Sequence, residues 1–313
     1  MAFSIRILGL AAITILVGSL WLSGHALPAA APPHETILLV DDRPVLYRSG
    51  TRRVLHQPRR YDRGPLIGQE KPWEAEIGYC SVHRDTTTGR YQMWYQAYAG
   101  QRAQASAQRV VICYAESDDG IHWVRPELGI HTFNGFEKTN IVLVGNGGRS
   151  TMYCTAVLVD PREQDPAKRY KMAYWDFSVD EGVEYPGLCV AFSPDGIHWS
   201  KHSRAPLLKG SYGESEPPPF DDQRDARRWD RPGSVSDVID LMWDPQRNVF
   251  VIYAKTWIDG PDGKMYWKRA AARMQSSDFL QWTRPELIIA ADEFERYWAF
   301  GAAAGPLRRH STD

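Results

Sequence analysis

The sequence predicts an all-β chain built as a β-propeller, with three four-stranded blades visible. Three observations predict it. Ser117-Asp118-Asp119-Gly120-Ile121-His122-Trp123 reappears as Ser193-Pro194-Asp195-Gly196-Ile197-His198-Trp199, and more loosely as Ser276-Ser277-Asp278-Phe279-Leu280-Gln281-Trp282. Each copy follows a β-rich run: Val110 to Tyr114, Gly187 to Phe192, Arg269 to Met274. The steps between the tryptophans, about 80 residues, are too long for helical solenoid repeats and suit a blade-sized unit.

The turn motif explains its own composition. Asp bonds nearby backbone N–H groups and Gly accepts positive φ, so Ser-x-Asp-Gly marks a tight turn, and a following Trp can fold back to seal it. The unit extends upstream. Arg90-Tyr91-Gln92-Met93-Trp94-Tyr95 matches Arg169-Tyr170-Lys171-Met172-Ala173-Tyr174, and Asn248 to Tyr253 holds the same place. Ahead of each lies another β-rich run ending in Asp: Tyr79 to Asp85, Tyr153 to Asp160, Ile239 to Asp244. The unit therefore reads as strand, Asp turn, strand, loop, strand, Ser-x-Asp turn and a Trp-bearing fourth strand.

Residues 1–31 stand apart as a signal peptide and processing region. Arg6, an apolar run from Ile7 to Leu22, and Gly24 and Ala26 have the order of a secretory signal, with cleavage after Ala26 or near Ala30. Export is expected, to the periplasm, the cell surface or the medium. The apolar run is short for a span, so membrane attachment follows only if the segment stays uncleaved. Residues 32–78 read as leading strands (Thr36 to Val40, Val45 to Tyr47) and a Pro/Gly-interrupted linker. Residues 79–300 read as blades and 301–313 as a disordered tail. The irregular segment 204–235 is either a surface excursion or a wall of a pocket. Three blades do not close a ring of the usual four to eight. Either residues 32–78 and 286–300 supply degenerate blades or the chain is a truncated product, and truncation is the expectation.

Composition limits the function. With 43% apolar residues, 24% charged and a net charge of −1, the chain lacks the basic footprint of a nucleic-acid binder; a monomer is expected. Four cysteines in an exported chain suggest disulfides, but their places argue for free, buried thiols. Cys80 and Cys154 fall on first strands, Cys113 and Cys189 on third strands. The intervening strand separates them by roughly 9–10 Å, beyond the ~7 Å a disulfide spans.

Topology sorts the acids. Asp85, Asp160, Asp244, Asp119, Asp195 and Asp278 fall at one end of the blades as turn builders. The opposite end receives the starts of first strands and the ends of second strands. It collects Trp73, Glu74 and Glu76; Arg149, Ser150, Trp175 and Asp176; and Asp237, Asp240, Lys255 and Trp257. Paired carboxylates are what glycoside hydrolysis needs, one to protonate the leaving oxygen and one to attack or activate water. Glu74, Glu76, Asp176 and Asp237 are the candidate catalytic acids. Trp73, Trp175, Asp240, Lys255 and Trp257 are the candidate substrate-binding residues. The same residues also read as solvated rim charges.

Lys71-Pro72-Trp73-Glu74, Asp160-Pro161 through Met172, the Ser-x-Asp turns and Ser236 to Asp244 together resemble the five-bladed propeller glycosidases of the arabinanase, invertase and levansucrase superfamily. More narrowly, they resemble exported bacterial family-32-like glycosyl hydrolases. The resemblance covers about residues 36–290 and is more specific for fold than for reaction. It implies a propeller of the five-bladed type, here an incomplete ring, an acid at the start of several first strands, and a carbohydrate as partner. Glu74 or Glu76 and Asp237 match that pattern. Blade two has Ser150-Thr151 there instead, so its acid is missing or replaced by Asp176. A divalent cation in the central channel fits the resemblance, but no ligand cluster demands one, so no cofactor is expected. A non-catalytic carbohydrate-binding propeller and an inactive fragment remain the alternatives.

Overall fold

The computed structural model describes residues 47, 49–52, 54, 56–180, 183–209, 235–258 and 268–290. The signal segment, the strand expected at Thr36 to Val40, most of the 204–235 excursion and the tail lie outside the described residues. The chain divides into two units, Met1–Arg60 and Tyr61–Asp313, and the sheets among the described residues belong to the second. Blade one comprises β1 (Glu76–Arg84), β2 (Tyr91–Tyr98), β3 (Val110–Ser117) and β4 (Ile141–Val144), hydrogen-bonded in that order. Blade two has β5 (Tyr153–Val159), β6 (Tyr170–Asp180) and β7 (Val183–Ser193). Its outer place is shared by β8 (Ser200–Lys201) and β9 (Leu208–Lys209), both paired with β7. Blade three has β10 (Ile239–Asp244), β11 (Val249–Ile258), β12 (Lys268–Ser276) and β13 (Glu286–Ala290). All pairings are antiparallel, and β5 packs between β1 and β10. This is the blade arrangement of a propeller, with the first strand of each blade innermost.

The three turns are one structure made three times. The hydroxyls of Ser117, Ser193 and Ser276 donate to the Oδ1 atoms of Asp119, Asp195 and Asp278 at 2.9–3.0 Å. Those Oδ1 atoms also accept the backbone N–H groups two and three residues on, at 2.7–2.9 Å. Trp123, Trp199 and Trp282 each donate Nε1–H to the carbonyl three residues back, on Gly120, Gly196 and Phe279. His122 and His198 add their rings to the second carboxylate oxygens at 2.6 and 2.7 Å. Burial pushes the Asp195 carboxyl up, but the His198 backbone N–H, the His198 ring and the Ile197 N–H outweigh it and hold it at about 2.

The first-strand acids build the other turns at the same end. Asp85 accepts from Thr87 and Thr88 N–H, Asp160 from Arg162, and Asp244 from Gln246 and Arg247.

Two readings need correction. The tryptophan after each turn is a clasp rather than part of a fourth strand. In blade one only a single bridge, Glu116 to Val124, follows it, and the fourth strand is Ile141–Val144, reached by a long excursion. Cys80 is exposed, although Cys113, Cys154 and Cys189 are buried and all four are free. The cause is alternation: Ser81 faces blade two, where it bonds Thr155 and Val157, so Cys80 points to the other face of the strand. That face of β1 is turned away from blade two and also exposes Val82. The strand order itself is as expected, with Tyr95 standing between Cys80 and Cys113.

The blades interlock through the turns. Trp94 of β2 donates Nε1–H to the Gly196 carbonyl at 2.5 Å and packs edge-on against Trp199, centroids 6.4 Å apart. Gly196 has φ +79, and a Cβ there would stand 2.6 Å from Trp94 Cζ2. At the next interface the bulk changes sides. Blade two carries Ala173 where blade one has Trp94, and the blade-three turn carries Phe279 in place of glycine. Phe279 keeps the left-handed backbone (φ +67) and is fully buried in the cluster that holds Ala173, against Phe192 at 5.7 Å and Phe250 at 5.1 Å. Nearby, Arg162 of blade two lies 3.0 Å over the Trp243 ring of blade three.

Gly196→Ala should cost about 2–4 kcal/mol, from left-handed strain plus overpacking. Gly120→Ala, whose Cβ meets the Tyr91 ring at an ordinary 3.5 Å, should cost only about 1–2 kcal/mol. Phe279→Ala should lose about 3–5 kcal/mol. Urea denaturation measures all three, and equal costs at Gly196 and Gly120 would contradict the interlock.

Candidate functional site

The end of the blades opposite the turns is set by register. Glu76 opposes Tyr98, and Tyr153 opposes Trp175. Just ahead of β10, Ser236 N–H donates to the Lys255 carbonyl, and Lys255 N–H donates to that of Val238. Aromatics run from blade one into blade two: Tyr98 to Tyr153 at 5.9 Å, Tyr153 to Trp175 at 5.8 Å, Trp175 to Phe177 at 5.3 Å.

Both inner strands are bulged near this end. The β1–β2 register shifts between Gly78 and Cys80, and the β5–β6 register between Tyr153 and Ala156. The residues at the shifts, Tyr79 (φ +44) and Cys154 (φ +55), are left-handed though neither is glycine. A bulge removes a residue from the ladder. The Cys154 N–H finds a replacement acceptor in the Gln96 side chain of blade one, at 2.9 Å. Lower on the same strands, Ser81 donates to the Thr155 carbonyl and accepts from Val157 N–H, which fixes β1 against β5.

Blade three brings charge to this place. Asp237 is one-third exposed and forms an ion pair with Lys255, which is nearly buried; Ser236 donates to it at 3.1 Å. Lys255 Nζ and Arg269 Cζ each lie 5.3 Å from the Trp257 ring centre, a cation–π arrangement. Burial lowers the Lys255 ammonium, and Asp237 opposes that shift. Burial raises the Tyr79 phenol to about 12, assisted by the charges of Cys154 and Asp237. Burial also raises Tyr98, where Tyr79, Tyr153, Cys154 and Asp237 all contribute. Because β5 packs between β1 and β10, the inner strands of all three blades lie together here.

The structure distributes the expected residues unevenly. Asp237, Lys255 and Trp257 come together. Asp240 is exposed on β10, with its charge reaching Cys154. Glu76 is exposed at the start of β1. Trp73 and Glu74 are drawn instead into blade one. Trp73 is 2% exposed, donates to Asn140 Oδ1 and packs on Phe133 at 5.8 Å. Glu74 is 1% exposed. It accepts from Glu70 and Lys71 N–H, from the Tyr95 hydroxyl at 2.6 Å and from Arg125 at 2.9 Å. Its lone pairs are committed to the fold. Trp175 is 3% exposed and offers no face to a ligand.

Asp176 is fully buried behind Ser150, whose hydroxyl donates to it at 2.7 Å, while Thr151 and Phe177 N–H bond to Oδ1 at 2.9 and 2.8 Å. Burial raises its carboxyl above the usual range, against those hydrogen bonds. Tyr79, Tyr98, Tyr153 and Arg269 were not anticipated. The tyrosines sit at the strand ends that topology assigned to this face, and that was the available signal.

No family model matches the chain, and no curated protein matches it. Among solved structures it is similar to a fructofuranosidase variant from Schwanniomyces occidentalis complexed with fructosylnystose. The identity is 13%, over 72% of this chain and 36% of that one, with a TM-score of 0.45. It is similar to an N-acetylgalactosamine deacetylase from F. plautii in complex with blood group B trisaccharide, at 13% identity over 73% and 58% of the two chains, TM-score 0.45. It is also similar to fructan 1-exohydrolase IIa from Cichorium intybus, at 16% identity over 69% and 35%, TM-score 0.37. The chain thus spans about a third of the fructofuranosidase and the exohydrolase. Likenesses of this degree carry nothing about residues or reaction.

Asp176 yields an expectation independent of function. A carboxyl raised by burial binds its proton more tightly folded than unfolded, so its contribution is full below the ordinary carboxylate range and is lost as pH rises through the raised value. Asp176→Asn keeps an acceptor for the two backbone N–H groups and removes the charge. Its stability relative to the parent should therefore improve as pH rises from 3 towards neutrality, as read from denaturant midpoints at each pH. A constant difference across that range would contradict the assignment.

Proposed function

We propose that the chain is an exported, carbohydrate-active propeller of the glycoside hydrolase type, with its sugar site where blades one to three meet opposite the turns. The observation that carries this reading is Asp237. It is a partly exposed carboxylate, oriented by Ser236 and Lys255, in a neighbourhood of Tyr79, Tyr98, Tyr153 and Trp257. Aromatic faces suit the C–H surfaces of sugars, and their hydroxyls suit the polar edges. An acid held in an ion pair suits the carboxylate's part in glycoside cleavage, attack on the anomeric carbon or activation of water. Glu76, exposed at the start of β1, is the candidate proton donor. Export rests on the residue pattern of positions 1–31. Among the described residues no group of three or more His, Cys, Asp or Glu could hold a metal ion, so no step is assigned to a cation.

A second reading is a binding propeller without turnover. It is favoured by the commitment of two expected acids, Glu74 and Asp176, to buried hydrogen bonds. The two readings separate in one experiment, reducing-end release and binding measured on the same panel of plant and microbial oligosaccharides. For a hydrolase, Asp237→Asn should lower turnover by about 10²–10⁴-fold with binding nearly intact. Trp257→Ala should weaken binding by about 1–3 kcal/mol. Binding without cleavage, unchanged in Asp237→Asn, selects the binding propeller; neither binding nor cleavage rejects both readings.

A further inference from the structure

Tyr79 presents a backbone conformation that its side chain does not need for packing. Left-handed φ suits glycine; for an aromatic residue it is a genuine outlier that carries backbone strain. Tyr79 is 38% exposed, so burial offsets that strain only in part. The conformation belongs to a bulge that recurs at the equivalent place in blade two. Counting back from the turn acids Asp85 and Asp160, Tyr79 and Cys154 occupy the same position, and both are left-handed. Cys154 is 6% exposed and its freed N–H is captured by Gln96. The blade-two copy is thus packed and satisfied, while the blade-one copy presents a tyrosine to solvent. Bulges re-aim side chains and gather beside functional sites. This one lies where blade one meets blade two, beside Gly78, whose partner Gln96 accepts from Cys154 N–H, and close to the Tyr98–Tyr153 ring pair.

We propose that Tyr79 is a ligand-contacting residue of the carbohydrate site, its ring held there by the left-handed bulge of β1 and its hydroxyl available to a sugar hydroxyl. The inference rests on the proposed carbohydrate function and deepens it, naming a contact that the strand pattern did not reveal. The ligand class is a neutral or polar sugar ring, which takes both stacking and a hydrogen bond from a protonated phenol.

The test separates conformation from contact. Tyr79→Gly suits the backbone and deletes the ring; Tyr79→Phe keeps the ring and deletes the hydroxyl. Thermal unfolding of the full chain is measured together with binding to an array of xylo-, manno-, arabino- and fructo-oligosaccharides. Tyr79→Gly should unfold within a few degrees of the parent, or above it, while binding at least tenfold more weakly; Tyr79→Phe should keep its melting temperature and lose a few-fold in affinity. Parental binding that weakens in Trp257→Ala but is unchanged in both Tyr79 variants overturns the inference and leaves the carbohydrate reading standing. A large fall in melting temperature for Tyr79→Gly, with unchanged affinity in Tyr79→Phe, makes the ring a packing element and also overturns it. Failure of the parent chain to bind any oligosaccharide overturns both.

Discussion

Everything in the blades depends on a carboxylate that substitutes for missing backbone partners. At each outer turn the chain reverses too sharply to continue the ladder, which leaves N–H groups that burial would make costly. Asp119, Asp195 and Asp278 each receive two of them on one oxygen, and a serine hydroxyl completes the shell. Once the turn is closed, the carbonyl of its fourth residue points outward as a fixed acceptor. At Gly196 that acceptor serves two tryptophans from different blades, Trp199 and Trp94. A local solution to a hydrogen-bonding problem thereby becomes the joint between sheets.

This explains what was legible in the sequence. Ser, Asp and Trp each bond a backbone group a few residues away, so the motif stays recognisable even where Phe279 replaces the glycine. The fourth strands were not legible. Ser200–Lys201 and Leu208–Lys209 are too short to leave a pattern, and Ile141–Val144 follows an excursion that no local signal bridges. The bulges were hidden for another reason. Matching Tyr79-Cys80 to Tyr153-Cys154 by identity sets the two strands one residue out of step, because the structure aligns Tyr79 with Cys154. Identical letters concealed a shift that exchanges the faces of the strand.

The site was legible as a region and less so as residues. Topology placed Asp237, Lys255 and Trp257 at the end opposite the turns, where the structure has them together. It could not reveal whether Trp73 and Glu74, just ahead of β1, turn into the channel or back into their own blade. The answer lies in partners far along the chain, Asn140 for Trp73 and Arg125 for Glu74. Arg125 is itself nearly buried and also reaches Glu70 and the Gly68 carbonyl. An acid surrounded by five donors is a structural anion, and only the fold identifies the donors.

The transfer of bulk from one side of an interface to the other gives the blades a fixed succession. Blade one offers a tryptophan to a glycine turn, and blade two offers an alanine in the cluster filled by a phenylalanine turn. Placing blade three directly after blade one would drive Trp94 into Phe279, and a second copy of blade two after the first would set Ala173 against Gly196 and leave a void. The repeats are alike in hydrogen bonding yet not interchangeable in shape. A gene that grew by duplicating such units would have to alter both sides of each new joint together, so the order of blades is written in complementary volumes rather than in the motif that makes them look the same.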